Sequence, residues 1–141
     1  ERVKPFDGIQ ALLETLKPKY KLAVVSGSNR RTVHITINTF FPDTFQVIIH
    51  GEDTKISKPS PVPYLKAIER LGIAKDQCLV IENAPLGIRS AKSAGLRCLA
   101  VTTYLDKECL KEADIIVYNH REIGKYIQQE SAREDEKEKG T

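Results

Sequence analysis

The sequence contains no methionine, only three cysteines, and charges that nearly cancel, at +3 over 141 residues. Cys78, Cys98 and Cys109 are odd in number and form no CxxC pair. They argue against a disulfide framework and read as buried or reduced thiols in a cytoplasmic protein. His34, His50 and His120 are scattered without ligand-like spacing, which argues against zinc. No apolar run approaches the ~20 residues of a membrane helix, and no signal-peptide pattern opens the chain, so no membrane partner is expected. Lys and Arg are interleaved with Asp and Glu, leaving no basic footprint for nucleic acid. Without methionine there is no initiator residue, and the expectation is a piece of a longer polypeptide.

What is present is an ordinary globular composition, 40% hydrophobic and 29% charged, in a chain the size of one domain. Short apolar runs recur at "KLAVV" (21–25), "FQVII" (45–49), "CLVI" (78–81), "CLAV" (98–101) and "DIIVY" (114–118). Their length and β-branching predict strands covered on both faces. Between them lie helical stripes: Ile9, Leu12, Leu13 and Leu16; Val33, Ile37, Phe40 and Phe41; Leu65, Ile68 and Leu71; Ile88, Ala91 and Ala94. Alternation of this kind predicts an α/β fold with a mostly parallel sheet. Residues 1–128 are expected to form the core domain, and 129–141 a charged tail that is a frayed helix end or disordered.

Ligands of parallel sheets gather at the carboxyl ends of the strands, so the residues after each apolar run carry the functional signal. After "KLAVV" come Ser26, Gly27, Ser28, Asn29 and Arg30, entering a helix. Hydroxyls, a glycine and a helix N-terminus can cradle a phosphate; the simpler reading is that Ser28 or Asn29 is an N-cap. After "FQVIIHGED" comes "TKISKPSP", where Pro59 and Pro61 restrict the segment carrying Lys58. A fixed ammonium can neutralise a transferring phosphoryl group, although most lysines are simply solvated. After "CLVI" come Glu82 and Asn83, whose oxygens suit a hard cation such as Mg²⁺ or, more plainly, a helix start at Asn83 with Pro85 in the first turn. Together the three clusters can converge on one phosphate and one metal. No strand end offers a DxD aspartate.

In this order the motifs resemble the haloacid dehalogenase superfamily, in its β-phosphoglucomutase-like phosphatase branch. "VVSGSNR" is similar to the second motif, "KPSPVPYLKAIERLG" to the third and "VIENAPLGIRSAKSAGL" to the fourth. The resemblance implies a Rossmann-like three-layer sandwich whose central first strand and helical cap are absent from this chain. It implies that a first-motif aspartate attacks the phosphoryl group of a small phosphorylated metabolite, giving an aspartyl-phosphate. Ser26 would then bond a phosphoryl oxygen with help from Gly27, Ser28 and Asn29. Lys58 would bridge nucleophile and phosphate, and Glu82 and Asn83 would complete the Mg²⁺ sphere. Asn83 departs from the usual aspartate and removes a charge. The chain alone is expected to be inert, with the missing N-terminal segment of the same polypeptide as its partner. A sugar phosphomutase, or a non-catalytic binding or regulatory protein that keeps the fold, are the alternatives.

Overall fold

The computed structural model describes residues 3–140. Residues 1, 2 and 141, assigned above to the ends of the core domain and of the tail, lie outside the described residues. The elements run α1 (Ile9–Leu16), β1 (Ala23–Val25), α2 (Arg30–Phe40), β2 (Val47–Ile49), α3 (Val62–Leu71), β3 (Leu79–Glu82), α4 (Pro85–Ser93), β4 (Arg97–Val101), β5 (Ile115–Val117) and α5 (His120–Lys139). Two 3₁₀ turns, Lys75–Gln77 and Lys107–Leu110, precede β3 and β5. All strand pairs are parallel. β1 lies beside β2 with Val24 opposite Ile48, and β4 is central to the order β3-β4-β5, with Leu99 between Ile81 and Ile115. The expected α/β architecture is present, as two small sheets.

The alternation of side chains along β4 explains the layering. Cys98 and Ala100 join Tyr64, Ile68, Ile88 and Ala91 in one core, whereas Leu99 and Val101 join Leu12, Val117 and Ile123 in another. A strand that buries both faces lies between two helical layers, α3 and α4 on one side and α1 and α5 on the other. Each fully buried Leu or Ile in these cores contributes about 1.5–3 kcal/mol. The smaller sheet packs Val47 and Ile49 against Ala67 and Leu71 of α3.

One sequence expectation shifts. The buried stripe of α3 is Tyr64, Ala67, Ile68 and Leu71, and Leu65, expected inside, is exposed. Residues at i, i+3, i+4 and i+7 share one face, and a stripe starting at 64 fits that spacing better than one starting at 65. The helix stops at Gly72, whose φ of 66° is left-handed, with its N–H returning to Ile68 and Glu69. In α5 the backbone stays helical to Lys139, through the segment read as a charged tail, but every residue from 132 to 140 is exposed. Only Ile123 is buried in this helix, and at its middle Glu130 pairs with Arg97 of β4 and with Arg133.

Asp114 ties three elements together just before β5. Its carboxylate accepts from the Lys92 ammonium of α4, at 3.0 and 2.7 Å, and from the Cys98 N–H of β4 at 2.7 Å. Partial burial pushes the carboxyl up, but the Lys92 and Cys98 hydrogen bonds outweigh it and hold the group below the usual carboxylate range. A depressed folded pKa stabilises the fold fully above the unfolded value of about 4, and that stability is lost as pH falls toward the folded value. Asp114→Asn should therefore lower stability at pH 7 by roughly 1 kcal/mol, after discounting for solvent screening. In thermal denaturation the gap between the two proteins should narrow from pH 7 to pH 3. An equal gap at both would mean that the charge of Asp114 is not what holds the junction.

Candidate active site

β1 and β3 make no backbone ladder with each other, yet their carboxyl ends are joined by one side chain. The Lys58 ammonium donates to the carbonyl of Val25, the last residue of β1, at 3.1 Å, and to Oε1 of Glu82, the last residue of β3, at 2.6 Å. Glu82 is 9% exposed and the Lys58 side chain 20%. Lys58 is thus no solvated surface lysine; its charge is fixed where both strands end.

The surroundings explain why the pair stays in place. Tyr64, on the buried face of α3, donates its phenol proton to the same Glu82 Oε1, and Lys58 Nζ lies 5.0 Å from the centre of the Tyr64 ring. Burial, then the charge of Glu82, pushes the Tyr64 phenol far above its usual range, so it is always a donor here. On the far side, α4 passes so close that a β-carbon at Gly87 would collide with the Glu82 carboxylate. The proline loop is anchored as well. Ser90, fully buried on α4, donates to the Ser60 carbonyl at 2.5 Å, and the Lys58–Pro59 peptide is cis. Burial and then Glu82 push the nearby Cys98 thiol up to about 12, which fits an inert buried cysteine.

Beside Lys58 is a small cleft lined by Ser26, Gly27, Gly51, Thr54 and Ser57. The loop after β1 folds on itself, with Ser26 Oγ accepting from the Ser28 N–H at 3.1 Å. It is also clasped by the loop after β2, whose Gly51 N–H donates to the Ser28 carbonyl at 2.7 Å. Any side chain at Gly51 would strike the Gly27 backbone. Asn29 is the N-cap of α2, its side-chain oxygen accepting from the Thr32 N–H at 2.9 Å. Its side chain is thereby engaged in capping, and the loop offers Ser26 and Gly27 to the cleft, while Ser28 lines the neighbouring groove beneath α2.

Asn83 is not a cap. The N-cap of α4 is Ala84, and Pro85 opens the helix. Asn83 Nδ2 instead donates to Thr103 Oγ1 at 3.0 Å, two residues past β4. The amide oxygen is left without a hydrogen bond among the described residues. Glu82 Oε2 makes only a long contact, 3.3 Å, to the Asn83 N–H. These two oxygens have the hard-donor chemistry that Mg²⁺ takes. They are two donors only, and among the described residues no group of three or more His, Cys, Asp or Glu is placed to hold a metal. The single negative charge is also already offset by Lys58.

Ser26, Lys58, Glu82 and Asn83 therefore gather at one end of the two sheets, as expected from their strand-end positions. Sequence reasoning missed Tyr64, Gly51, Gly87 and Thr103. Thr103 alone carried a usable signal, since it too follows an apolar run. The cost of crowding Glu82 is testable. Gly87→Ala should destabilise the protein by roughly 2–4 kcal/mol, because the carboxylate must leave its partners or the helix must move. Introduced into Glu82→Ala, the same change should cost under about 1 kcal/mol in thermal denaturation. Equal costs in both backgrounds would show that Gly87 matters for some other reason.

The sequence model for the haloacid dehalogenase-like hydrolase matches residues 1–101. Validoxylamine A 7'-phosphate phosphatase of Streptomyces hygroscopicus subsp. limoneus is 34% identical over 119 residues, spanning 83% of this chain and 56% of that protein. Glycerol-1-phosphate phosphohydrolase 1 of Saccharomyces cerevisiae is 35% identical over 115 residues, spanning 75% and 46%. The chain thus spans about half the length of the curated relatives it matches. The crystal structure of β-phosphoglucomutase from Clostridium difficile superimposes with a TM-score of 0.75 at 28% identity, covering 88% of this chain and 55% of that one. With the motif residues assembled at the strand ends and the match covering most of its length, the chain belongs to the haloacid dehalogenase-like hydrolase family.

Proposed function

We propose that this chain is the phosphate-handling part of a Mg²⁺-dependent phosphatase acting on a small phosphorylated metabolite. The observation that carries the reading is Lys58, held between the Val25 carbonyl and Glu82 at the rim of the Ser26–Gly27–Gly51 cleft. An ammonium has three protons. Two are committed to these partners, and the third is available to an oxygen of a phosphoryl group in the cleft. Ser26 Oγ accepts from Ser28 and keeps its own proton to donate. The N-terminus of α2, which begins at Arg30, adds partial positive charge on the same side. Phosphoryl transfer is governed by such positioning and charge neutralisation.

The nucleophile of this reading is an aspartate outside the 141 residues, on a strand that would pair with the free edges of β1 and β3. Ile81, in the middle of β3, is 40% exposed, and an open groove of about 200 Å³ flanks Val24 of β1 beneath α2. Both features support a strand between the two sheets. The aspartate would take the phosphoryl group as the alcohol leaves, and water would then release phosphate. Asn83, through its side-chain oxygen, and Glu82, through Oε2, would hold Mg²⁺, which supplies positive charge against the phosphoryl oxygens when bound. The relatives named for a 7'-phosphate and for glycerol-1-phosphate support a small polyol-like phosphate ester as substrate. A sugar phosphomutase is the second reading, supported by the likeness to β-phosphoglucomutase. It differs in passing the phosphoryl group to a second sugar hydroxyl.

The test is hydrolysis of an aryl phosphate by the full-length polypeptide, with the 141-residue chain alone expected to be inert. Lys58→Ala in the full-length protein should lower kcat at least a hundredfold, roughly 3 kcal/mol of transition-state stabilisation, without unfolding it. Near-normal turnover would remove Lys58 from the chemistry. A second measurement concerns the cation. Asn83→Asp adds a negative charge to a donor already oriented by Thr103, and should lower the Mg²⁺ concentration for half-maximal activity by about tenfold. An unchanged midpoint would mean that the Asn83 oxygen does not face the metal.

A further inference from the structure

Glu82 Oε1 is shared between two donors that come from different elements. Lys58 precedes α3 in a proline-rich loop, whereas Tyr64 is in the first turn of α3 itself. Tyr64 is 7% exposed, and its ring contributes to the main core with Ile68, Val80 and Ile88. Packing alone would be served by phenylalanine. A buried phenol, however, carries a polar group whose desolvation needs a partner, and here the partner is the carboxylate that pairs with the candidate catalytic lysine. Glu82 cannot rotate toward α4, because Gly87 is already in close approach.

We propose that Tyr64 is a positioning residue: its hydroxyl holds Glu82 Oε1 at the end of β3 and so sets where the Lys58 ammonium lies. The inference rests on the phosphatase reading for its catalytic consequence, but not for the contact itself. With both donors present, the carboxylate is balanced between two partners and Lys58 keeps a proton directed to the cleft. Without the phenol, Lys58 is the remaining donor to that oxygen. The ammonium is then drawn deeper toward Glu82 and away from the Ser26–Gly27 loop. The ring of Tyr64, 5.0 Å from Lys58 Nζ, would remain in a phenylalanine variant, so that the hydroxyl is isolated as the cause.

Two readouts separate this inference from the phosphatase reading. The chain contains no tryptophan and five tyrosines, so tyrosine absorption in it is unobscured. A phenol donating to a carboxylate absorbs at longer wavelength than one that does not. The Tyr64 contribution, taken as wild type minus Tyr64→Phe, should therefore shift to shorter wavelength when the same difference is measured in Glu82→Gln. An unmoved contribution overturns the proposal whether or not the protein hydrolyses phosphate esters. In the full-length polypeptide acting on an aryl phosphate, Tyr64→Phe should lower kcat about tenfold with KM within about twofold, the order commanded by one charge-assisted hydrogen bond. Its melting temperature should stay within about 3 °C of wild type, whereas Tyr64→Leu should lose stability as well. Unchanged kcat in Tyr64→Phe, or a loss confined to KM, overturns the positioning role. If the wild type itself shows no hydrolysis, the phosphatase reading fails and the absorption shift alone decides the contact.

Discussion

The ion pair between Lys58 and Glu82 is the constraint around which the rest of this molecule is arranged. Two nearly buried charges are costly to desolvate, and they persist only where further hydrogen bonds satisfy the atoms they leave over. The Val25 carbonyl and the Tyr64 phenol do this for the two partners. The pair also links β1 to β3, which share no backbone ladder. Without Lys58 the Glu82 carboxylate would keep the Tyr64 phenol, and without Glu82 the ammonium would keep the Val25 carbonyl, so either loss removes the link between the strands and leaves a partner for the group that remains.

Other contacts fall into place around that pair. Ser90 carries α4 to the proline loop at Ser60, which sets the distance from α4 to Lys58. The close passage of α4 over Glu82 requires Gly87, and the clasp of the β2 loop over Gly27 requires Gly51. Three loops that are remote in sequence thereby become one rim. That is the usual consequence of a parallel sheet, whose strands all end on the same side. The family membership rests on the sequence match and not on the architecture alone, since α/β sheets host many unrelated chemistries.

Much of this was legible in the sequence, for a physical reason. Strands covered on both faces are continuous apolar runs, so the polar residue that ends each run stands out. Ser26, Glu82 and Asn83 were found by that rule, and Lys58, farther along the loop after β2, by the prolines that restrict its segment. Tyr64 was not, because its hydroxyl serves a partner 18 residues away, and an aromatic on a helix reads as core. The stripe on α3 was also placed one residue late, at Leu65. Gly51 and Gly87 escaped because a close approach is a property of two segments, and neither glycine has an unusual local pattern. The choice between capping and function could not be made from sequence either. The structure assigns the cap to Asn29 and removes it from Asn83, through the partners each side chain finds.

Neutralisation at rest also bears on how an anion would arrive. A unit positive and a unit negative charge 2.6 Å apart form a dipole whose potential dies away much faster than that of a lone lysine. Beyond a Debye length of about 8 Å at physiological salt, the pair is nearly invisible. Long-range steering therefore falls to the scattered surface charges and their net +3. In the proposed reading, discrimination by Lys58 would begin only once a ligand is already in the cleft, where geometry rather than field decides.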